Sequence, residues 1–442
     1  MKKIIKYGLI AIPGLIGFYG FLQLNAMTYS QALYSTIHLY SFSTDTEEIN
    51  GFIEVARWLA PIATAAFLAI IFQNIRESIT NSWRTLQSGS ITVYGEGLEA
   101  EMFLSHLGSK GVKGNLNKIS KTRYQVIMFE DDQKALEHYC ANESELAPYL
   151  VYISLQLPYA HNMMKPNLFT FSTAENRAII YWRDHPAGDT EQIAIIGNDV
   201  LTDNILTRGL LYNIISPNQE ISYHIWKKDN RYPYLHPQLD QVTMDHIFFH
   251  EKPYYKYLDI LKNMDRVILC GSDKENLDML INLKTYFVKT NIHVAYSRKE
   301  SIQAFYEEEK IVAFGTFQEL FTRDVIIKES LLEEAKTLNN KYSENYGGKT
   351  WEKLDVFKRQ SNINSVEYRE RIRKLHGEGV DSEELAELTH ICWNRLHILN
   401  NWRYGNARDD SQRIHPLIKP YSDLSEDEKQ KDRDIVYSVT KG

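Results

Sequence analysis

The stretch Gln125–Leu136 (QVIMFEDDQKAL) aligns without a gap with Arg266–Leu277 (RVILCGSDKENL). Each copy starts with a short apolar run, which is typical of a buried strand, and continues with polar residues that suit the start of a helix. In this alignment, Asp132 of the first copy corresponds to Asp273 of the second. A repeated strand and helix indicates a duplicated α/β unit with parallel sheets.

The first copy belongs to a predicted Rossmann-like lobe at 90–190. Ahead of it, Ile91–Ala100 (ITVYGEGLEA) has the pattern of a strand, a glycine turn and a helix start. Glycines at such a turn let backbone amides approach an anion at a helix N-terminus. Gly95 and Gly97 are therefore candidate ligand-binding residues, although this lobe shows no recognisable second or third strand.

The second copy belongs to a predicted lobe at 191–330, which opens with the strand Gln192–Gly197 (QIAIIG). This lobe departs from a dinucleotide-binding pattern in two ways. Asn198 and Asp199 stand where the glycine pattern would continue. The second strand ends at Trp226-Lys227-Lys228, with no carboxylate to bind a ribose hydroxyl. The sequence alone leaves open whether either lobe binds a nucleotide.

The region Ile91–Tyr342 resembles the TrkA-N or RCK regulatory domains that gate potassium transporters. The resemblance rests on Glu130-Asp131-Asp132 and Ser272-Asp273-Lys274, which follow a late strand in each lobe, and on Ile311–Thr316 (IVAFGT) near the end of the second lobe. It implies tandem ligand-binding lobes that regulate transport across a membrane.

The N-terminal region 1–80 has the pattern of a two-helix membrane anchor. Tyr7–Leu24 and Trp58–Ile75 are apolar runs that can just span a bilayer core of about 30 Å at about 1.5 Å rise per residue. Lys and Arg precede the first run and follow the second, whereas Asn25–Gly51 contains neither. The positive-inside rule then places both termini in the cytoplasm, with the helices in the cell inner membrane.

Two questions about this region stay open. A cleaved signal peptide that ends near Ala26 would also fit the basic start and the first apolar run. Ser30–Phe42 could form a short amphipathic helix that dips into the membrane as a pore helix does, yet no TVGYG-like filter follows it. Two helices per chain cannot easily enclose a pore, so a channel would require a homo-oligomer.

The composition excludes several classes of function. The 442 residues include 50 Lys and Arg and 57 Asp and Glu, for a net charge of -7, and no basic cluster stands out, so we expect no nucleic-acid partner. The three cysteines form no CxxC pair. His246 and His250 lie in a predicted strand, which separates their rings too far to share a metal ion. The spacing of the cysteines and histidines therefore leads us to expect no metal site. Because no acid, base or nucleophile motif stands out, we also expect no enzyme.

The C-terminal part, 331–442, is predicted to be mostly helical, and its final segment has the most specific pattern in the chain. The pattern runs Leu385-Ala386-Glu387, His390, Trp393, Trp402, Tyr404-Gly405, Asp409, His415-Pro416-Leu417, Pro420-Tyr421, Leu424, Glu428-Lys429 and Arg433. It resembles the repeat of ryanodine receptors, the RyR domain, with Asn401 in place of the glycine that precedes Trp402. Bacterial proteins with this repeat are also similar in the preceding stretch, here Lys358–Asn362 (KRQSN).

The RyR resemblance implies an adenine nucleotide or a related nucleotide as ligand. An aromatic face can stack on a purine while Arg or Lys contacts phosphate. The candidate residues for this role are Trp402, Tyr404, Arg408, His415, Lys419 and Tyr421, with Arg359 and Asn362 as neighbours. The alternative is that these side chains only pack a small helical module.

Together these features predict a membrane-anchored cytoplasmic sensor of a nucleotide-like ligand, which gates a channel or perturbs the membrane as an oligomer. A role in phage defence fits this architecture by analogy. One alternative is an NAD-dependent, membrane-attached oxidoreductase that uses the first lobe. Another is a non-catalytic scaffold that binds other proteins.

Overall fold

A computed structural model describes residues 2–24, 27–41, 43, 46–157, 160–286, 290–298, 302 and 310–440. Ala26, the candidate cleavage site, and Phe42, the end of the predicted amphipathic helix, lie outside these residues. The chain forms two compact units, Met1–Gln87 and Ser88–Gly442. The second unit contains parallel sheets and a helical C-terminal part, which confirms the predicted mixed α/β class.

The first unit contains α1 (Lys2–Leu22), α2 (Tyr29–Leu39) and α3 (Gly51–Thr85). Asn50 fixes the start of α3, because its Oδ1 accepts a hydrogen bond from the Ile53 amide at 3.0 Å. Such a cap satisfies an amide that has no partner within the helix. Its Nδ2 donates to the Gly20 carbonyl at 2.7 Å, so the same side chain ties α3 to the end of α1.

Glycines on α1 bring its backbone close to the other two helices. A Cβ at Gly20 would lie 2.9 Å from the Ile53 amide nitrogen, and a Cβ at Gly17 would lie 2.8 Å from a Leu39 methyl group. The core of this unit includes Phe21, Leu39, Ile53, Ala56 and Ala60. The outer faces expose large apolar side chains, including Leu15, Trp58, Ile62 and Phe72. Exposed apolar surface of this extent indicates contact with lipid or with another protein.

Within the residues that the structure describes, one helix is long and apolar enough to cross a membrane. This stretch of α3 is Gly51–Ala69, whereas α1 has a shorter apolar stretch, Ala11–Leu22. The sequence placed the second span at Trp58–Ile75, but α3 begins at Gly51 because Asn50 caps it there. One candidate span is therefore found, and the second pass through the membrane stays a prediction.

The first lobe contains strands β1 (Ile91–Tyr94), β2 (Gly111–Lys113), β3 (Tyr124–Ile127), β4 (Leu150–Ser154) and β5 (Leu168–Phe171), and helices α4 (Leu98–Leu107), α5 (Asp132–Ala141), α6 (Glu143–Leu146) and α7 (Thr173–Asp184). The strands form a parallel sheet in the order β2-β1-β3-β4-β5. The expectation that this lobe lacks a second strand is wrong, because Gly111–Lys113 pairs with β1. Three residues are too few for a strand pattern to be recognised in a sequence.

The second lobe contains strands β6 (Gln192–Ile196), β7 (Ser222–Trp226), β8 (His246–His250), β9 (Arg266–Leu269), β10 (Asn291–Ala295) and β11 (Ile311–Phe314), and helices α8 (Val200–Tyr212), α9 (Tyr232–Leu235), α10 (Leu258–Leu261), α11 (Asp273–Thr285), α12 (Phe317–Leu320) and α13 (Arg323–Ile327). Its parallel sheet has the order β11-β10-β9-β6-β7-β8. This is the strand order of a dinucleotide-binding Rossmann fold. In such sheets, ligands bind beyond the carboxyl ends of the strands, where the strand order reverses.

The internal repeat corresponds to one hydrogen bond in each lobe. The Asp132 carboxylate accepts from the Gln156 amide at 2.9 Å, and the Asp273 carboxylate accepts from the Ser297 amide at 3.0 Å. The two partners are 24 residues apart in both lobes. Each carboxylate lies at the start of a helix and holds the backbone that follows the next strand. The carboxylates of these two residues of the RCK-like pattern therefore already accept hydrogen bonds from backbone amides of the protein.

The C-terminal part contains α14 (Glu329–Tyr346), α15 (Val356–Gly377), α16 (Ser382–Leu399), α17 (Glu426–Thr440) and two short strands, β12 (Arg403–Tyr404) and β13 (Ile414–His415). It packs on the second lobe through buried polar contacts. Arg395 forms an ion pair with Asp245 at 2.6 Å, and Tyr368 donates a hydrogen bond to the Ile214 carbonyl at 2.8 Å. The helical part is therefore anchored to the second lobe.

Candidate ligand-binding site

The glycine turn of the first lobe has acidic surroundings. Gly97 has a φ of +125°, a conformation that favours glycine, and a Cβ there would collide with the Glu130 carboxylate. Gly95, in the same turn, lies against the backbone that follows β3. Glu99 accepts a hydrogen bond from the Thr173 hydroxyl at 3.1 Å, and burial raises the pKa of its carboxyl. Carboxyl groups therefore stand close to the place where a phosphate would approach.

The corresponding turn of the second lobe uses its own carboxylate at the helix N-terminus. Asp199 accepts a hydrogen bond from the Val200 amide at 2.6 Å, so it takes one of the amides that a phosphate would use. Lys227, at the tip of β7, is paired with Asp203 at 2.7 Å. The helix amide and the lysine at this turn therefore already have partners within the protein, which weakens the case for a bound phosphate.

Two aromatic candidates in the C-terminal part lie in a packed interior. Trp402 is 5% exposed and stacks on Phe357, with ring centroids 5.2 Å apart and planes 27° apart. His415 is buried, its Nδ1 accepts from the Leu417 amide at 3.2 Å, and burial lowers the pKa of its imidazole to about 4. The ring of Trp402 is therefore already stacked on a side chain of the protein.

Tyr421 and the two upstream candidates make contacts of the same kind. The Tyr421 side chain is buried, and its hydroxyl donates to Glu383 at 3.0 Å. Arg359 is 6% exposed and donates to the Trp351 carbonyl at 3.2 Å. The Asn362 amide donates to the carbonyl one turn earlier on α15 at 2.9 Å. Tyr421 and Arg359 therefore hold neighbouring elements together, whereas Asn362 bonds within its own helix.

The remaining candidates lie closer to the surface. Tyr404 is 53% exposed, and Arg408 pairs with Asp410 at 2.6 Å. Lys419 contributes its backbone carbonyl, which accepts a hydrogen bond from the His390 ring at 3.0 Å. The structure thus divides the predicted set into a packed inner group and a polar outer group.

A cavity of about 370 Å³ lies where α7, α8, α13 and α14 meet α15, and we call it the junction cavity. Its aromatic lining consists of Trp182, Tyr212 and Tyr368, and aliphatic side chains such as Ile179 and Val325 complete the apolar wall. A small-molecule site usually has a volume of about 300–1,000 Å³ and a mainly apolar lining with a few polar groups. The junction cavity has this volume, but its lining is more polar, because eight of its twenty lining residues are charged.

Asn176 is a buried polar side chain in the wall of the junction cavity. It is 2% exposed, and its amide nitrogen and oxygen both lack a hydrogen-bond partner among the residues that the structure describes. A buried polar group that is left unpaired costs about 1–3 kcal/mol. Several other described residues each leave one buried polar atom unpaired, but Asn176 leaves two, which suggests a partner that is not part of the chain.

A second asparagine, Asn276, has a similar position at the start of a helix, and both of its polar side-chain atoms form hydrogen bonds within the protein. Ser172-Thr-Ala-Glu175 precedes Asn176 in the first turn of α7, and Ser272-Asp-Lys-Glu275 precedes Asn276 in the first turn of α11. Asn276 accepts from the Gly271 amide at 2.7 Å and donates to the Ala295 carbonyl at 2.6 Å. In α11, Glu275 and Ser272 also form a capping box. The two asparagines therefore differ only in what surrounds them.

Arg208 on α8 joins three helices at the wall of the junction cavity. Its guanidinium donates to Glu367 on α15 at 2.8 Å and to Glu175 on α7, and we call these side chains the Arg208 triad. Burial alone would raise the pKa of Glu175, but Arg208 and Lys328 outweigh it and hold this pKa at about 2. Arg208 and Glu367 line the junction cavity, while Arg208 and Glu175 line a second cavity of about 160 Å³. The triad therefore borders both cavities.

Comparison with known proteins identifies one part of the chain. Residues 376–442 match the model of the RyR domain family. The final segment is therefore similar to the RyR domain. The match confirms the resemblance for the segment that contains α16, the β12–β13 pair and α17.

Two solved structures align with a large part of the chain. The crystal structure of a GsuK point mutant aligns with a TM-score of 0.37 at 12% identity, covering 74% of this chain and 97% of GsuK. The crystal structure of GsuK bound to ADP aligns with a TM-score of 0.36 at 12% identity, covering 70% and 93%. Scores this low carry no argument about function, and the gating role implied by the RCK resemblance stays a prediction.

The cavities and the predicted site residues do not coincide. None of the ten residues proposed from the glycine turn and from the RyR domain with its upstream neighbours lines either of the two cavities described above. Asn176 and Arg208 were not among the candidates, since neither belongs to a recognisable motif. The signal available for Asn176 is an amide inside an otherwise amphipathic helix, which is too common in proteins to single out a site.

Proposed function

We propose that the chain is a membrane-anchored sensor in which a nucleotide-like small molecule binds the junction cavity and changes how the surrounding helices pack. The observation that supports this proposal is the composition of the cavity wall. Helix α7 leads from the first lobe to the second, α8 belongs to the second lobe, and α15 leads into the RyR domain. A ligand at this place contacts all three, and it shifts their packing if it binds one arrangement more tightly than another.

In this proposal the first unit anchors the sensor. We propose that α1 and α3 both cross the cell inner membrane, with both termini in the cytoplasm. Basic residues precede the first apolar run and follow the second, and such residues mark the cytoplasmic side of a membrane protein. Gating a channel or perturbing the membrane requires a homo-oligomer, since so few helices per chain cannot enclose a pore. The chain would then transmit a signal and catalyse no reaction. A role in phage defence stays a prediction from architecture.

The NAD-dependent oxidoreductase is the weaker alternative. It requires a pyrophosphate at the glycine turn of the first lobe, where Glu130 lies against Gly97 and Glu99 is buried nearby. Negative groups at this position oppose a phosphate, which binds best at an open helix N-terminus. The scaffold alternative requires no small molecule at all, so a ligand screen separates it from the sensor.

The proposal predicts that a nucleotide raises the thermal stability of the full chain in detergent. ATP, ADP, adenosine monophosphate, NAD and cyclic adenosine monophosphate are the probes, because they cover the expected ligand class. A ligand at 100 times its dissociation constant stabilises the protein by about 2.7 kcal/mol. Val325→Trp, which fills the junction cavity, should abolish the shift. Ile281→Trp adds the same bulk at an exposed position of α11 outside the cavity and should retain it.

Other outcomes would point elsewhere. A shift that survives in Val325→Trp but is lost in Trp402→Ala or Arg408→Ala would place the ligand in the RyR domain. No shift with any probe would favour the scaffold. A protein that is only monomeric in mild detergent, by native mass measurement, would contradict the gating role.

A further inference from the structure

We infer that the junction cavity selects its ligand by pairing the Asn176 amide with a planar ring that carries a hydrogen-bond donor and an acceptor side by side. This inference rests on the proposed function and specifies the chemistry of its site. Nucleobase edges have this arrangement, and so does the carboxamide of a nicotinamide ring.

Both polar atoms of the Asn176 side chain are unpaired within the described residues and are covered, so a ring reaches them only when the side chains around the amide move. Its Nδ2 can donate and its Oδ1 can accept, and neither does so within the part of the chain that the structure describes. Asparagine makes the same two-bond contact with the N6 and N7 atoms of adenine in nucleic-acid recognition. At 2% exposure the pairing would form away from bulk water, where a hydrogen bond is electrostatically stronger.

The rest of the lining suits the faces of a planar ring. Trp182, Tyr212 and Tyr368 contribute aromatic surface, and Ile179 and Val325 contribute aliphatic surface. These side chains form the apolar part of the wall, and the amides of Asn176 and Asn364 lie beside it. Because the polar atoms of Asn176 are unpaired, its amide determines which edge of the ring is accepted.

The charged side chains in the lining limit the charge of the ligand, and the cavity volume limits its size. Arg183, Arg208, Lys328 and Arg373 are matched by an equal number of carboxylates. Such a balance creates no strong field for a polyanion. A cavity of about 370 Å³ is at the small end of the usual range for ligand sites. We therefore expect a nucleoside or a mononucleotide in preference to a dinucleotide.

The experiment compares Asn176→Leu with Asn276→Leu in the full chain in detergent. Without ligand, Asn176→Leu should melt at the wild-type temperature or above it, because it removes two unpaired polar atoms. Asn276→Leu should melt at a lower temperature, because it breaks the hydrogen bonds to Gly271 and Ala295. With adenosine monophosphate and nicotinamide mononucleotide as probes, Asn176→Leu should weaken binding by about 10- to 100-fold, and Asn276→Leu should leave it unchanged.

The probes also distinguish the two kinds of ring. Binding of adenosine monophosphate alone would assign a base edge, and binding of nicotinamide mononucleotide alone would assign a carboxamide. Ribose 5-phosphate has neither ring, so a shift as large as that of the mononucleotides would overturn the inference.

The inference and the proposed function fail in different ways. Wild-type affinity in Asn176→Leu, or a loss of stability as large as that of Asn276→Leu, would overturn the inference. If Val325→Trp still abolished binding in that case, the proposed function would stand. No shift with either mononucleotide would contradict the inference, and no shift with any nucleotide would contradict the sensor as well.

Discussion

Replacing Asp245 by leucine is expected to lower the free energy of unfolding by about 3–5 kcal/mol, because the change leaves the Arg395 guanidinium buried without its partner. The two side chains are 2% and 0% exposed and lie 2.6 Å apart. Arg395 also donates to the carbonyls of Leu210 and Thr243, which hold it in place. Denaturant unfolding of the full chain in detergent measures the loss, and hydrogen exchange in α16 locates it.

An exposed ion pair provides the control. Arg183 and Asp184 lie 2.8 Å apart with side chains 45% and 48% exposed, so Asp184→Leu should cost only about 0–1 kcal/mol. The double variant Arg395→Met with Asp245→Leu should recover a large part of the loss, because no unpaired charge is then left in the interior. Equal losses for Asp245→Leu and Asp184→Leu would show that the buried pair does not hold the helical part on the second lobe.

Replacing Arg208 by methionine is the second change with a large expected effect, a loss of about 1–3 kcal/mol in the free energy of unfolding at about pH 8. It leaves Glu175 and Glu367, whose side chains are 33% and 15% exposed, without the cation that joins them. In the wild type, the pKa of Glu175 is about 2, below its ordinary value of 4.5. This group therefore contributes stability that is present above about pH 4.5 and is lost as the pH falls through about 2.

The variant should depend on pH in a different way. Without Arg208, Lys328 remains to oppose burial, so the pKa of Glu175 rises from its wild-type value and the carboxylate is stabilised less at high pH. The loss of stability should therefore shrink as the pH is lowered from about 8 to about 5. Unfolding curves at several pH values measure this difference, with Arg183→Met as a control at an exposed position. A loss that is the same at every pH would contradict the assignment of the Arg208 triad as a buried charge network.

The class of the fold could be predicted because its main signals are local in the sequence. The repeat around Asp132 and Asp273 corresponds to equivalent hydrogen bonds in the two lobes. The RyR pattern matches its family model over 376–442. Strand β2 was missed because Gly111–Lys113 is too short to alternate, and its place in the sheet depends on β1.

The candidate site could not be predicted, because it depends on which groups remain without a partner after folding. Asn176 and Asn276 follow the same local pattern of Ser, two residues and Glu. In α11 the glutamate closes a capping box, whereas in α7 Glu175 binds Arg208 on another helix. Only the tertiary structure decides between these outcomes.

For the RyR residues, too, the sequence could not show which side chains already have partners within the protein. The sequence grouped Trp402 with the other residues of the RyR pattern, but it could not show that Phe357 already covers the indole ring. A residue of this type can stack on a ligand or on its own protein, and the pattern is identical in both cases.

One indole ring has a practical consequence for any study of ligand binding. Trp182 has no exposed surface, donates to the Ile205 carbonyl at 2.8 Å and lines the junction cavity. A nucleobase that reaches this ring in the cavity would quench its emission, whereas a tryptophan that does not line the cavity, such as Trp226, would not make this contact. The protein therefore contains an optical reporter at the proposed site, and occupancy can be followed in detergent or in lipid without attaching a dye.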